Sequence, residues 1–412
     1  MNSTRRQFLQ RTLAGTSALS LGLAVPRFLQ SSAAAMANRQ ASAAGRILVV
    51  VQLSGGNDGL NTVIPYRDPA YAKNRVALRI PASQVLTLND EVGLHPRLTG
   101  LAQLWEDRQL AVVQGVGYPN PNRSHFESMD IWHSCQRDRQ QQRTGWLGRA
   151  LDATPSAQRS DLPALHLGRG ELPLPLAARR TAAPSAPSLE ACQLRTSNGA
   201  LPSSALREIA DSAPADNDAP LAQFLQQTML TALDASQKVQ ETAAQQRTAQ
   251  SYPATGLGGK LRTVAQLIDA EVACPIYYVS LDGFDTHANQ AAAHAALMGE
   301  LSGALAAFTT DLQARGHLDR VLVMTFSEFG RRVKENASLG TDHGAAAPMM
   351  LLGNQVHAGC IGAHPSLTDL DDGDLKHHTD FRSVYSAVLE DWLGCPAEPV
   401  IGQKFERVKI LG

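Results

Sequence analysis

Continuous runs of aliphatic residues recur along the chain and predict strands that are buried on both faces. They occupy residues 46–53, 110–116, 163–168, 276–281, 320–326 and 348–353. Apolar residues recur at helical spacing in the intervening segments 98–105, 295–316 and 380–394. Strands buried on both faces are typical of parallel sheets. Their alternation with helices predicts an α/β fold, with a mostly parallel central sheet between two helical layers, a three-layer sandwich.

One segment departs from this alternation. Residues 175–220 are rich in Ala, Pro, Ser and Asp, a composition typical of loops. We interpret the segment as an insertion on the surface of one domain rather than a boundary between two. Residues 221–250 predict a polar helix packed outside the same domain. Residues 38–412 are therefore predicted to form a single α/β domain.

The N-terminal segment 1–37 has the pattern of an export signal. Arg5 and Arg6 precede an apolar run at 12–25, and small residues follow at 35–37. The run is too short to cross a bilayer as a helix, which takes about 20 residues. The segment resembles a twin-arginine signal peptide. It predicts the twin-arginine translocase as a partner, a periplasmic or secreted location, and no transmembrane helix in the mature protein.

Composition excludes two classes of function. The chain has 37 basic and 38 acidic residues, a net charge of −1, which gives no basic surface for nucleic acid. Its 5 cysteines are scattered and show no C-x-x-C spacing, which argues against a zinc knuckle or a dense disulfide scaffold.

Polar side chains follow several of the predicted strands. In sheets of this kind, ligands bind beyond the carboxyl ends of the strands. The loops at those positions carry Asp58, Ser124, Asp285, His287, Glu328, Asp342 and His343. Carboxylates and imidazoles without thiolates favour Zn²⁺ or Mn²⁺, with Mg²⁺ or Ca²⁺ possible where oxygen ligands dominate. The sequence therefore predicts a divalent metal site at this edge of the sheet.

Several of these residues also have an ordinary structural explanation. Asp58 beside a glycine is typical of a turn. Ser124 with Glu127 spells a capping box, although a hydroxyl at a helix N-terminus beside a metal is also a candidate nucleophile. Arg123, Arg331 and Arg332 are candidates for binding an anionic ester. The adjacent pair His377–His378 is better explained as a solvated helix start.

Five motifs together carry a resemblance. "QLSGGNDGLNTVIPY", "NRSHFESMDIW", "SLDGFDTHANQ", "TFSEFGRR" and "GTDHGAAAPMMLLG" resemble the bacterial exported family called domain of unknown function 1501. That family is similar to the alkaline phosphatase and sulfatase superfamily. The resemblance implies that Asp58 is a metal ligand, Ser124 the nucleophile, and Asp285 with His287 a ligand pair.

The motif "GTDHG" fits the superfamily pattern in two registers. By spelling, Asp342–His343 matches its Asp-His pair. By position, Glu328 replaces the Asp, Phe329 stands where its His would be, and His343 is the final ligand. The positional register is favoured, and it leaves one metal site short of a nitrogen ligand. A single metal or an altered second site is then expected.

Two functions are compatible with these residues. The first is a metal-dependent hydrolase of phosphate or related esters, with Ser124 as the nucleophile and a small anionic ester as the substrate. The second is an exported binding or assembly protein that keeps the fold and part of the metal site. No cysteine lies in the C-x-P-S-R context of a formylglycine sulfatase, so that subclass is not expected.

Overall fold

The aliphatic runs of the sequence form the strands of a central sheet. The computed structural model describes residues 45–154, 160, 162–169, 171–186, 195–196, 199–200 and 250–412. The signal segment 1–37, the predicted helix at 221–249 and most of the predicted insertion at 175–220 lie outside the described residues. Those predictions, and the domain boundaries that depend on them, stay predictions.

Strands and helices alternate along the described residues. The strands are β1 (Ile47–Ser54), β2 (Val63–Ile64), β3 (Leu86–Thr87), β4 (Gly93–Leu94), β5 (Leu110–Gly117), β6 (Leu165–Leu167), β7 (Ser185–Ala186), β8 (Arg195–Thr196), β9 (Gly199–Ala200), β10 (Ile276–Asp282), β11 (Val321–Phe326), β12 (Ala347–Leu352), β13 (Gly359–Ile361), β14 (Leu370–Asp371), β15 (Asp374–Leu375) and β16 (Thr379–Asp380). The helices are α1 (Pro69–Asn74), α2 (Thr99–Glu106), α3 (His125–Ser134), α4 (Trp146–Ala153), α5 (Gly256–Asp269), α6 (Gln290–Ala314), α7 (Phe381–Ala387) and α8 (Ala397–Ile401), and a π-helical turn, Val388–Trp392, continues α7.

Nine of the described strands form one sheet. Its order is β13-β5-β12-β11-β1-β10-β6-β7, and β16 also pairs with β5. β1 pairs in parallel with β10 and β11, whereas β12 pairs antiparallel with both β11 and β5. Because β12 runs against its neighbours, its first residue lies at the edge where theirs end. The loop before β12 therefore meets the loops that follow β1, β10 and β11.

Alternate residues of the central strands enter two separate cores. In β1, Val49 and Val51 pack into a cluster with α2, α5 and α6. Leu48 and Val50 pack into a second cluster with α3, α4, α7 and α8. Each fully buried aliphatic side chain contributes roughly 1.5–3 kcal/mol. The predicted mostly parallel sheet with helices on both faces is confirmed.

One described helix, α6, is long and apolar enough to cross a membrane by length and composition. Its apolar residues, such as Leu301, Leu305 and Phe308, are fully buried in the first cluster. The helix packs on α5 and α2, so it forms part of the layer that covers the sheet.

Candidate metal centre

Three imidazoles converge on one carboxylate at the carboxyl edge of the sheet. Asp285 Oδ1 lies 3.4 Å from His125 Nε2, 3.1 Å from His287 Nε2 and 3.2 Å from His343 Nε2. The ligand atoms of His125, Asp285 and His343 all lie within 4.8 Å of one another. His287 Nε2 adjoins this set, 2.9 Å from His343 Nε2.

These residues come from three loops that the topology brings together. His125 is the first residue of α3, in the connection that follows β5. Asp285 and His287 follow β10, and His343 precedes the antiparallel strand β12. We refer to His125, Asp285, His287 and His343 as the central cluster. Its members are partly exposed, so a solute can reach them.

The other ring nitrogen of each histidine faces a hydrogen-bond acceptor. His125 Nδ1 lies 2.9 Å from Glu328 Oε1, and His343 Nδ1 lies 2.7 Å from the carbonyl oxygen of Arg123. His287 Nδ1 lies 3.4 Å from Asp342 Oδ1. A proton on Nδ1 would satisfy each of these acceptors and would leave Nε2 of the same ring free to bind a cation. Burial lowers the pKa of His343, which favours its neutral form at pH 7.

A cation fits the space that these groups face. The Nε2 atoms of all three imidazoles face one carboxylate oxygen, and two of them lie 2.9 Å apart, an arrangement that a bound cation would stabilise. His125 Nε2 is buried and has no hydrogen-bond partner among the described residues. Ligating histidines usually donate their second N–H to a carboxylate or carbonyl, and an acceptor of that kind lies beside Nδ1 of all three histidines here. The donor set of imidazoles and a carboxylate suits Zn²⁺ or Mn²⁺.

The carboxylate of Asp285 is held in its charged form. Burial is the largest single effect and raises the pKa of this carboxyl, but the hydrogen bonds from Arg331 Nη2, 2.8 Å away, and from His343, with the charge of Arg331, together lower the pKa to about 2. Arg331 is itself fully buried and also donates to the carbonyls of Gly56, Thr341 and Phe284. Arg331 therefore positions Asp285 and is not presented to a substrate, contrary to the sequence expectation.

Asp58, expected from the sequence as a ligand, does not join the central cluster. Arg75 donates to both of its oxygens, at 2.5 and 2.9 Å, and Gln290 donates to one of them. Both charged side chains are fully buried. Burial raises the pKa of Asp58, but the Arg75 guanidinium lowers it by more. The carboxylate of Asp58 therefore forms a buried ion pair with Arg75, and the charge of Arg75 neutralises it.

Glu328, the other carboxylate expected to bind metal, contacts the cluster only through His125. Its Oε1 accepts from His125 Nδ1 and from the backbone N–H of Gly55, both at 2.9 Å. Phe329 is buried, and its ring centroid lies 4.9 Å from that of His125 and 4.6 Å from that of His343. Glu328 therefore orients His125, and the ring of Phe329 packs against His125 and His343.

Asp342, in contrast, lies beside the cluster. Its Oδ1 accepts from Asn336 Nδ2 at 3.0 Å and faces His287. The hydrogen bond from Asn336 is the main cause of the lowered pKa of Asp342. Asp342 therefore orients His287, not the adjacent His343. Gly340, two residues before Asp342, allows its loop to approach the loop that carries His287, since a Cβ at position 340 would lie 2.2 Å from the carbonyl carbon of His287.

Ser124 is the N-cap of α3, directly before His125. Its hydroxyl makes no capping hydrogen bond, and the Glu127 carboxylate instead accepts from Asn122 and Arg139. The capping box that the sequence spells is therefore not formed. The exposed hydroxyl sits at a helix N-terminus, where free N–H groups and the helix dipole favour an anion.

Two arginines flank the cluster and bind one acidic hairpin. Arg123 Nε and Nη1 donate to Asp374 at 2.8 Å and to Asp372 at 3.0 Å. Arg332 Nη2 lies 3.3 Å from the same oxygen of Asp372. These carboxylates belong to the β14–β15 hairpin. Arg123, expected from the sequence to bind substrate, is thus paired with protein carboxylates but stays partly exposed.

His125 is the cluster residue that the sequence reasoning missed. It stands directly after Ser124 in "NRSHFE", and the motif was interpreted through its serine alone. The available signal was its position at the first turn of a helix after a strand end, the same topological position as the other candidates. His377 and His378 lie outside the cluster, beside Gly115 and Gly117 of β5.

Comparisons with known proteins identify a family. The family described as "Protein of unknown function (DUF1501)" matches residues 46–383. No curated protein matches the chain at the required significance.

Among solved structures, the chain is similar to the PsFucS1 sulfatase from Pseudoalteromonas sp. at 11% identity and a TM-score of 0.36, over 84% of this chain and 70% of that chain. It is also similar to Ps i-CgsB in complex with k-i-k-neocarrahexaose at 8% identity and a TM-score of 0.34, over 88% of this chain and 73% of that chain. Likeness at this level indicates nothing about activity. The family match covers every residue of the central cluster, and the chain belongs to the DUF1501 family.

Proposed function

We propose that the protein is an exported hydrolase of phosphate or related esters that works with a single divalent metal ion. The observation that carries the proposal is the shared orientation of His125, His287 and His343. Each directs Nε2 at Asp285 Oδ1 and engages Nδ1 with an acceptor. Such a set of ligands, each with its orienting partner, is what metal sites require.

Ser124 is the proposed nucleophile. A bound metal polarises an ester oxygen and lowers the pKa of a nearby hydroxyl. Ser124 directly precedes the ligand His125, and its hydroxyl makes no capping hydrogen bond. The first N–H groups of α3 offer hydrogen bonds to the oxygens of an incoming anion. The chain would thus place hydroxyl, metal and anion-binding groups within one helical turn.

The N-terminal segment supports an extracytoplasmic site of action. Arg5 and Arg6 precede a short apolar run and a small-residue cleavage site. We propose that the twin-arginine translocase exports the protein, and that it works in the periplasm or after secretion. That route carries folded proteins, so the metal would be bound before export.

A second candidate function is a metal-containing binding or assembly protein. It is favoured by the two positions at which the superfamily pattern is altered. Asp58 is neutralised by Arg75, and Phe329 fills a ligand position. A protein that binds one metal ion where the superfamily pattern has two is compatible with the loss of hydrolytic activity.

Metal analysis of the mature protein, purified without a chelating tag, tests the proposal. We expect about one Zn²⁺ or Mn²⁺ per chain. His343→Ala should lose the metal, whereas His357→Ala, which removes an exposed histidine outside the cluster, should keep it. A wild-type protein without metal after supplementation would overturn the proposal.

Ser124→Ala separates the two candidate functions. If the protein is a hydrolase, this variant should keep its metal and lose hydrolysis of aryl phosphate and aryl sulfate esters. Metal-loaded wild-type protein that hydrolyses neither ester, with a Ser124→Ala variant that behaves identically, would favour the binding protein.

A further inference from the structure

Arg123 and Arg332 lie at the wall of the central cluster. The carbonyl of Arg123 accepts from His343 Nδ1 at 2.7 Å. The backbone N–H of Arg332 donates to the carbonyl of Asp342 at 3.0 Å. Both backbones are thus bonded to the loop that carries His343. Their guanidinium groups, 36% and 34% exposed, extend from this wall toward solvent.

One carboxylate lies between the two guanidinium groups. Asp372 Oδ2 is 3.0 Å from Arg123 Nη1 and 3.3 Å from Arg332 Nη2. Asp372 is at the tip of the β14–β15 hairpin, is 76% exposed, and has a φ of 48°. Left-handed backbone is unfavourable for most residues, although Asp and Asn tolerate it better. Asp372 and Gly373, with φ of 48° and 85°, form a two-residue hairpin turn of the kind that Asp-Gly favours, so the turn does not depend on the contacts with the arginines.

Arg332 has donors that the protein does not satisfy. Among the described residues, its guanidinium makes one hydrogen bond, the 3.3 Å contact with Asp372. Its Nε lies 3.6 Å from Asp374 Oδ1, which is too long for a hydrogen bond. Asp374 Oδ1 is itself buried without a hydrogen-bond partner. A guanidinium carries five N–H donors that match the oxygens of phosphate or sulfate.

We propose that Arg123 and Arg332 form an oxyanion subsite, and that Asp372 occupies it until the phosphate or sulfate group of a substrate takes its place. The inference rests on the proposed function, because it names the anionic part of the ester that the metal centre would act on. Displacing Asp372 exchanges one anion for another on the same two cations.

Asp372→Asn tests this displacement in the full mature protein. Asn tolerates the backbone conformation and removes the competing charge. We expect the affinity for inorganic phosphate or sulfate, measured by titration calorimetry, to rise about tenfold, the order expected when one like charge is removed at a partly exposed contact. The anion whose affinity rises more, phosphate or sulfate, indicates whether the substrate is a phosphate or a sulfate ester.

Asp369→Asn is the matched control. Asp369 lies beside the same hairpin, is 72% exposed, and pairs with Lys376, so its replacement removes an equal charge away from the arginines. The gain should be absent in Asp369→Asn and abolished when Arg332→Gln is added to Asp372→Asn.

Equal affinities in wild type, Asp372→Asn and Asp369→Asn would overturn the subsite, as would a gain that survives Arg332→Gln. The proposed function fails separately, if the protein contains no metal or hydrolyses neither ester. The anion titrations measure neither metal content nor hydrolysis, so the two failures can be distinguished.

Discussion

The buried pair of Asp58 and Arg75 offers a sharp test, because sequence and structure assign the carboxylate different roles. Both side chains are fully buried, and two hydrogen bonds of 2.5 and 2.9 Å join them. Asp58→Asn keeps the shape of the side chain but leaves the guanidinium without its counter-charge. Arg75 would retain its hydrogen bonds to the carbonyls of Val333 and Arg332, which do not neutralise it.

The expected cost follows from this burial. Breaking a buried ion pair by removing one partner costs about 3–5 kcal/mol. We therefore expect the free energy of unfolding of Asp58→Asn, from urea denaturation at neutral pH, to fall by that amount. Metal content should be unchanged, because Asp58 contacts none of the central cluster. Asp369→Asn, which breaks an exposed pair, should change stability by less than about 1 kcal/mol.

The pH dependence gives a second measurement on the same variant. Burial raises the pKa of Asp58, but Arg75 lowers it, and the net result is a folded pKa below the usual value of 3.8. A carboxyl with a depressed folded pKa stabilises the protein above its unfolded pKa, and this contribution is lost as the pH falls toward the folded value. The stability difference between wild type and Asp58→Asn should be constant at neutral pH and shrink below about pH 4.

One outcome would refute this reasoning. If Asp58→Asn lost its metal while its urea midpoint stayed at the wild-type value, Asp58 would be a ligand and Arg75 a dispensable partner. The sequence expectation would then be correct, and the ion pair would not describe the metal-loaded protein.

Two further predictions concern the cluster and export. Glu328→Gln should lower metal affinity by about 10- to 100-fold, measured by competition with a chelator, because His125 Nδ1 would then donate to a neutral amide. Unchanged affinity would show that Glu328 does not orient His125. Replacing Arg5 and Arg6 together with Lys should leave the precursor in the cytoplasm, as judged by cell fractionation, and a normal periplasmic yield would contradict the twin-arginine assignment.

Much of the fold was predictable because its signals are local. The aliphatic run at 46–53 became β1, and the run at 276–281 became β10, within one residue at each end. Consecutive residues are buried along most of both strands, which is typical of strands covered on both faces. The antiparallel direction of β12 was not predictable, because no local pattern distinguishes it from its parallel neighbours.

The site was predictable only in part, because the partners of each carboxylate are distant in sequence. Asp285, His287 and His343 were identified from their positions at strand ends, and the structure brings them together. The sequence could not show that Arg75, 17 residues away, neutralises Asp58. It also could not show that Glu328 accepts from His125, 203 residues away. A carboxylate at the right edge of a sheet is a candidate ligand until its counter-charge is known.

The partners of the carboxylates at this edge of the sheet indicate why we expect one metal ion and not two. Asp58 is neutralised by Arg75, and Glu328 is committed to His125 and to a backbone N–H. Asp285 also accepts from Arg331, but three imidazole nitrogens face the same oxygen. Asp285 is therefore the carboxylate at this edge whose oxygen faces both a guanidinium and a group of imidazole nitrogens. A second metal bound by Asp58 would have to displace a buried guanidinium, at the cost already worked out for that pair, which favours a single metal ion in the proposed function.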